Sequence, residues 1–376
     1  MILNENVQKK IIPVAGGKGG VGKSIFSVNL AITLAASGKK VLLIDLDLGG
    51  SNLHTLLGIK NTNFGVGHYF YNKKLLFKEL ILETAYDNLY FIPGDVHVFG
   101  SNEISFQQIK RLLKIIPEQS ADFIILDLGA GSSQMTLDFF LISNSGIIVT
   151  TPQNTAIANA HLFLKNLVLR FLQRAFDNDP HISQFLKRVF KETKPGDLRD
   201  INDILDEMRR MNEQAADKAE IFLEVLQPKI IINMVESPQD NQVGETLSQL
   251  VRKHYRLNLE CLGLIMYDKA INNSIQDKEP FVLKYPETIV AMELNRIAQK
   301  ILQSERFPQM PYDLNLYKDS FELAEIEAEY DLEVMRDQQS EWLQSDGSYD
   351  VEKMLNTISG LQERISLLER KLRYHD

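Results

Sequence analysis

The chain has 376 residues, 44% of them hydrophobic, which is enough to bury a full α/β core and leave room for an appendage. Its single cysteine, Cys261, excludes an intramolecular disulfide and argues against a cluster held by paired cysteines. The formal net charge of −9 is unevenly placed: residues 1–304 hold 33 acidic and 33 basic side chains, whereas 305–350 hold 13 and 3. A neutral body offers no electrostatic footprint for nucleic acid, so nonspecific DNA is a disfavoured partner. The polar opening lacks a signal-peptide core and no run approaches about 18 apolar residues, so the expected location is the cytoplasm, with recruitment to a membrane or cell pole left open.

The first element is an apolar run, Ile11, Ile12 and Val14, followed by AGGKGGVGKS at Ala15–Ser24 and a helical spacing of Phe26, Leu30 and Leu34. Strand, glycine-rich turn and helix in that order make a phosphate-binding loop. Glycines at 16, 17, 19, 20 and 22 let backbone N–H groups turn inward, and the helix points its positive dipole end at the anion. Gly17–Ser24 fits G-x-x-x-x-G-K-S/T, in which the lysine, here Lys23, reaches the β- and γ-phosphates and the hydroxyl, here Ser24, holds Mg²⁺. A nucleotide's phosphates and Mg²⁺ are the expected ligands, with contacts from Gly17, Lys18, Gly19, Gly20, Val21, Gly22, Lys23, Ser24 and Ile25.

Val41-Leu42-Leu43-Ile44 has no polar alternation and reads as a buried parallel strand that ends on Asp45 and Asp47. Acids at the carboxyl end of such a strand lie where open α/β sheets bind ligands, and they suit Mg²⁺ and water chemistry better than packing. Phe123-Ile124-Ile125-Leu126-Asp127 repeats the pattern in the form of a Walker B strand, with Gly129 and Gly131 behind it as a mobile switch segment. Ser24, Asp47 and Asp127 are the expected metal-supporting set.

About 75 residues separate the Asn154 turn from the strand at Lys229, far more than one crossover helix needs. Three apolar stripes fill them: Leu164, Leu167, Phe171 and Leu172; Phe185, Leu186, Val189 and Phe190; and Ile201, Ile204, Leu205 and Met208. They predict a helical insertion over about 176–222, with Asp197 as the N-cap of a helix beginning at Leu198. Core packing is its plain role, and partner binding or dimer bracing the functional alternative.

The tail opens on a Pro-containing linker at Phe307–Pro311 and continues into an acidic helical pattern at Leu323, Ile326, Tyr330 and Val334. From Met354 through Ile358, Leu361, Ile365, Leu368 and Leu372 the steps alternate four and three, a coiled-coil seam. So short a seam needs a partner or a second copy. Membrane contact is the less favoured alternative, because this stretch has no Trp or Phe and carries both signs of charge.

Lys18 adds a feature a plain phosphate loop does not require. KGGVGKS resembles the deviant loop of the MinD/ParA family of P-loop ATPases, and DLDLGGSNLHTLLG and DLGAG resemble its flagellar-number subgroup, FlhG/FleN/YlxH. The resemblance implies a doubly wound, mostly parallel sheet and an ATP-dependent homodimer in which Lys18 reaches the partner's phosphates. It implies slow, partner-stimulated hydrolysis, with Asp47 orienting the water and Lys18, Lys23 and Asp47 forming the catalytic set. Asn52 falls on the turn asparagine, Asn233 on the residue that contacts adenine, and Met266 and Asp268 on the turn closing the other side of the base. Thr150-Thr151-Pro152 and Thr155-Ala156-Ile157 resemble the segment leading into a helix near the dimer face.

The whole chain thus reads as an α/β doubly wound P-loop ATPase domain over 1–303 with the inserted helices, an acidic linker and helix over 304–349, and a coiled-coil helix over 350–376. The implied role is a switch controlling the position or number of a cellular structure. A nucleotide-gated scaffold with little turnover and a DNA-riding partition ATPase are the alternatives.

Overall fold

A computed structural model describes residues 9–303, except 49, 51, 61–63, 73, 95–103 and 193–199, together with 324–332 and 335. The chain forms two compact units, Met1–Glu329 and Tyr330–Asp376. The heptad pattern at 350–376 and the linker at 307–311 lie outside the described residues, as do Asp197, Leu323 and Val334.

The strands in chain order are β1 (Lys10–Ala15), β2 (Val41–Leu46), β3 (Leu82–Glu83), β4 (Leu89–Ile92), β5 (Phe123–Leu128), β6 (Ile147–Thr150), β7 (Lys229–Val235) and β8 (Glu260–Met266). They form one sheet in the order β3-β4-β2-β5-β1-β6-β7-β8, parallel throughout except for the short β3–β4 pair. Buried on both faces, the central strands are continuous apolar runs, as a parallel sheet covered by helices requires.

The helices are α1 (Lys23–Ala36), α2 (Leu53–Leu56), α3 (Val66–Tyr71), α4 (Phe106–Ile115), α5 (Gln134–Phe140), α6 (Asn154–Ala175) and α7 (Pro180–Glu192), then α8 (Ile201–Met211), α9 (Glu213–Val225), α10 (Asn241–Tyr255), α11 (Ala270–Asp277), α12 (Phe281–Lys284) and α13 (Ile289–Gln303). α1 packs against α12 and α13 in one group, while α5, α6 and α10 pack together in another. Phe26, Leu30 and Leu34 of α1 are buried, each contributing on the order of 1.5–3 kcal/mol of apolar transfer. No helix among the described residues is long and apolar enough to cross a membrane.

Among the described residues, four helices stand between β6 and β7. α6 runs unbroken for 22 residues, and α7, α8 and α9 pack on it or on one another. Leu164, Leu167, Leu172, Phe185, Leu186, Val189 and the α8 stripe are buried, whereas Phe171 and Phe190 are half-buried. α8 begins at Ile201 and not at Leu198, and its N-cap is Asp200, whose carboxylate accepts the Asn202 N–H at 2.8 Å. The cap shifts because His254 and Arg256 at the end of α10 hold this turn: the His254 ring pairs with Asp200 at 3.2 Å, and Arg256 donates to Asn202 Oδ1 at 2.7 Å.

Part of the acidic segment belongs to the first unit. Glu327 accepts from Lys300 at 2.8 Å and its carbonyl from Arg296, while Ala324 and Ala328 are buried against the α13–β8 side. Ile326 is 42% exposed, so the apolar stripe expected there is only partly used for packing.

Candidate functional site

Parallel strands bring their carboxyl ends to one edge of the sheet, and β5 lies between β1 and β2. Val14 and Asp45 are both in register with Asp127, so two strand-end acids and the start of the phosphate loop are fixed as neighbours by the sheet alone.

The loop between β1 and α1 bends through two left-handed glycines, Gly20 at φ 83° and Gly22 at φ 87°. Such angles cost an L-residue with a Cβ on the order of 1–2 kcal/mol. Gly17 is required for a different reason. A Cβ there would lie 2.4 Å from the backbone carbon of Asn159, so α6 closes on the loop with no room for a side chain. Gly19 and Gly20 face open space, where a bound anion can approach the backbone.

The two loop lysines are placed oppositely. Lys23, 7% exposed, lies 3.0 Å from Asp127 Oδ2 and 3.9 Å from Asp47 Oδ2, and donates to Ser24 Oγ at 3.2 Å. Lys18 is exposed on the outside of the loop, its ammonium donating to Thr155 Oγ1 in the first turn of α6 at 3.2 Å.

Asp127 is the hub. Buried at 1% exposure, it accepts from Ser24 Oγ at 2.7 Å through one oxygen and from Ser27 Oγ at 2.8 Å through the other. A hydroxyl paired with a buried carboxylate at a phosphate loop is an all-oxygen donor set of the kind Mg²⁺ takes. Ser24 and Asp127 therefore fit the metal, and Asp47, 27% exposed, faces the same group across Lys23 at 3.9 Å.

Asp45 has a different job. Fully buried, it accepts the Asp47 N–H at 3.0 Å and the Leu53 N–H at 3.4 Å, so it shapes the turn that presents Asp47. A Cβ on Gly129 would stand 3.5 Å from Asp47 Oδ1, so the segment after Asp127 runs directly alongside this carboxylate.

Asn233 comes to the loop through a β-bulge. The β7–β8 register slips between Asn233 and Val235, with Met234 at φ 58°, and a bulge re-aims the side chain beside it. Asn233 Nδ2 donates to the Val21 carbonyl at 2.8 Å, and the residue is 6% exposed. Met266, 8% exposed, ends β8 with its N–H donated to Glu293, and Asp268, two residues ahead of α11, accepts the Ala270 N–H at 2.7 Å. Asn52 is exposed just ahead of α2, and Ile25 is half-buried in the first turn of α1. These contacts put Asn233 against the phosphate loop and engage Asp268 with the backbone at the start of α11.

Ser27 was not among the expected site residues, although its signal was present: it falls three residues after Ser24, on the same face of α1. The backing of the loop by Asn159 had no comparable signal.

A family model described as ParA, a NUBPL iron-transfer P-loop NTPase, matches residues 6–167. The septum site-determining protein MinD of Thermotoga maritima is 32% identical over 198 residues, covering 52% of this chain and 70% of that protein. The flagellum site-determining protein YlxH of Helicobacter pylori is 37% identical over 163 residues, covering 42% of this chain and 53% of that protein. Among solved structures, MinD of Pyrococcus horikoshii complexed with Mg-ADP matches the fold with a TM-score of 0.54 and 19% identity, covering 80% of this chain and 99% of that one. The chain belongs to the MinD/ParA family of P-loop ATPases. Iron transfer does not fit the thiol chemistry here: Cys261 is the only cysteine of the sequence, and burial in β8 pushes its thiol up to about 12, away from the thiolate that iron requires.

Proposed function

We propose that this protein is a Mg²⁺-dependent ATPase switch: ATP pairs two copies, hydrolysis releases them, and the cycle controls the position or number of a cellular structure of the flagellar or division type. The observation that carries this reading is the opposite placement of the two loop lysines, one buried among the acids and one exposed on the loop's outer side. A buried lysine is sufficient for phosphates bound in the same subunit. An exposed second lysine in the same loop has a use when another subunit's phosphates come within reach.

Phosphoryl transfer needs positioning and charge neutralisation more than covalent participation by the protein. Lys23 and the loop N–H groups hold the phosphates, and Ser24 and Asp127 hold the metal. Bound Mg²⁺ supplies neutralisation of the charge that builds on the phosphate oxygens. Asp47 orients the attacking water, and the turn built on Asp45 holds Asp47 in place. Asn52, Asn233, Met266 and Asp268 line the base side. The helical insertion or the 350–376 seam takes the protein partner, since neither is needed to complete the site.

Light-scattering mass of the full chain with ADP and with ATP·Mg²⁺, alongside phosphate release, tests the switch. Wild type is expected to double its mass with ATP alone. Lys18→Ala stays at the ADP mass, and Asp47→Ala holds the dimer without releasing phosphate. A mass indifferent to nucleotide in all three proteins overturns the dimer switch.

A further inference from the structure

One helix, α6, touches both the phosphate loop and the segment after Asp127. Its first turns carry Thr155, which accepts from Lys18, and Asn159, whose backbone backs Gly17. Further along the same helix, Asn166 Nδ2 donates to Ser132 Oγ at 2.8 Å. One turn on, the Arg170 guanidinium grips Asp138 of α5 with two bonds of 2.8 and 2.6 Å, and Arg174 donates to the Asp138 carbonyl.

Ser132 lies near the end of the connection from Asp127 into α5, the segment that passes Asp47 at Gly129, and Asp138 lies beyond it within α5. Its midpoint, Gly131, sits at φ 84° and donates its N–H to the Gly16 carbonyl at 3.0 Å. The segment is thus pinned to the phosphate loop at Gly131 and to α6 at Ser132 and Asp138. Between those pins and Asp127 stand only Leu128, Gly129 and Ala130, so the pins together fix where Gly129 stands beside the Asp47 carboxylate, 3.5 Å from Oδ1 for a Cβ built there.

We infer that Asn166 and Arg170 are positioning residues for hydrolysis: α6 acts as a ruler that sets the segment after Asp127 relative to the phosphate loop, and with it the setting of Asp47. This rests on the ATPase reading above and adds to it residues that touch neither phosphate nor metal. Because α7, α9 and α10 pack on the same helix, whatever displaces them acts on the rate through these two side chains.

The test uses the full chain as wild type, Asn166→Ala, Ser132→Ala, their double variant, and Asn166→Asp, which keeps the size and restores the contact with the Ser132 hydroxyl as the donor. Phosphate release at saturating ATP·Mg²⁺, affinity for a fluorescent ADP analogue and thermal midpoint are measured for each. Asn166→Ala and Ser132→Ala should each lower kcat about tenfold while ADP affinity stays within about twofold. The double variant should be no slower than either single one, because both remove one contact. Asn166→Asp should restore most of the rate.

An unchanged kcat in Asn166→Ala overturns the inference. So does a double variant whose losses multiply, an Asn166→Asp as slow as Asn166→Ala, or a loss of ADP affinity that matches the loss of rate. Wild type that binds the analogue but releases no phosphate overturns the hydrolysis reading itself, which separates that failure from this one.

Discussion

Gly17 and Gly19 sit two residues apart in one loop and should respond to the same substitution in opposite ways. Gly17→Ala drives a methyl into the α6 backbone at Asn159, where nothing can rotate away, so a cost of about 3 kcal/mol and a nucleotide affinity lower by more than about tenfold are expected. Gly19→Ala meets no atom within 4 Å, and urea unfolding should place it within about 0.5 kcal/mol of wild type. Ser27 makes a second contrast with its better-known neighbour Ser24. It is fully buried and donates to Asp127, so Ser27→Ala leaves a buried carboxylate oxygen short of a donor. A loss of about 1–3 kcal/mol on unfolding is the expected outcome.

At the scale of elements, the α5–α6 contact is a buried ion pair, with Asp138 2% and Arg170 14% exposed. Breaking such a pair on one side strands a charge, whereas replacing both partners restores an apolar fit. Arg170→Met should therefore lose about 3–5 kcal/mol in denaturant unfolding, and adding Asp138→Leu should recover most of it. Equal losses in the single and double variants would show that packing, and not the stranded carboxylate, sets the cost. The insertion meets the body through a more exposed polar contact, in which Glu220 of α9 accepts from Arg209 of α8 at 2.8 Å and pairs with Arg256 at the end of α10 at 2.9 Å. The Arg209 hydrogen bond holds the Glu220 carboxyl below its ordinary range.

For the whole molecule, two buried groups set an alkaline limit. Burial raises Cys261 from 9.0 and Tyr255 from 10.0, each to about 12. In the unfolded chain these groups release their protons first, so above pH 9 the unfolded state binds fewer protons and stability falls as pH rises. The contribution is complete below pH 9 and is lost progressively toward about 12. Urea midpoints at about pH 8 and about pH 10.5 should show it: Cys261→Ala starts lower through its cavity but loses less over that interval than wild type. The buried thiol should also resist alkylation at neutral pH until the protein unfolds.

Much of the site was legible because its signals are local. The glycine pattern of Gly16–Gly22, the apolar strands ending on Asp45 and Asp127, and the stripes of α6, α7 and α8 are each written within a few residues. Local propensity and side-chain periodicity act at that range. What the tertiary structure alone decided are the contacts between distant parts of the chain: Asn233 on Val21, 212 residues apart, and Asn166 on Ser132, 34 apart. Asp200, and not Asp197, caps α8 because α10 supplies His254 and Arg256 to that turn. Asp45 and Asp47 look alike on paper, but the sheet buries one against backbone N–H groups and leaves the other facing Lys23. By itself the sequence determined the glycine-rich loop between β1 and α1, since a loop and its flanking strand and helix form from neighbouring residues. Which surrounding groups hold that loop still, and on which side each lysine faces, was decided only when the sheet closed and α6 packed onto it.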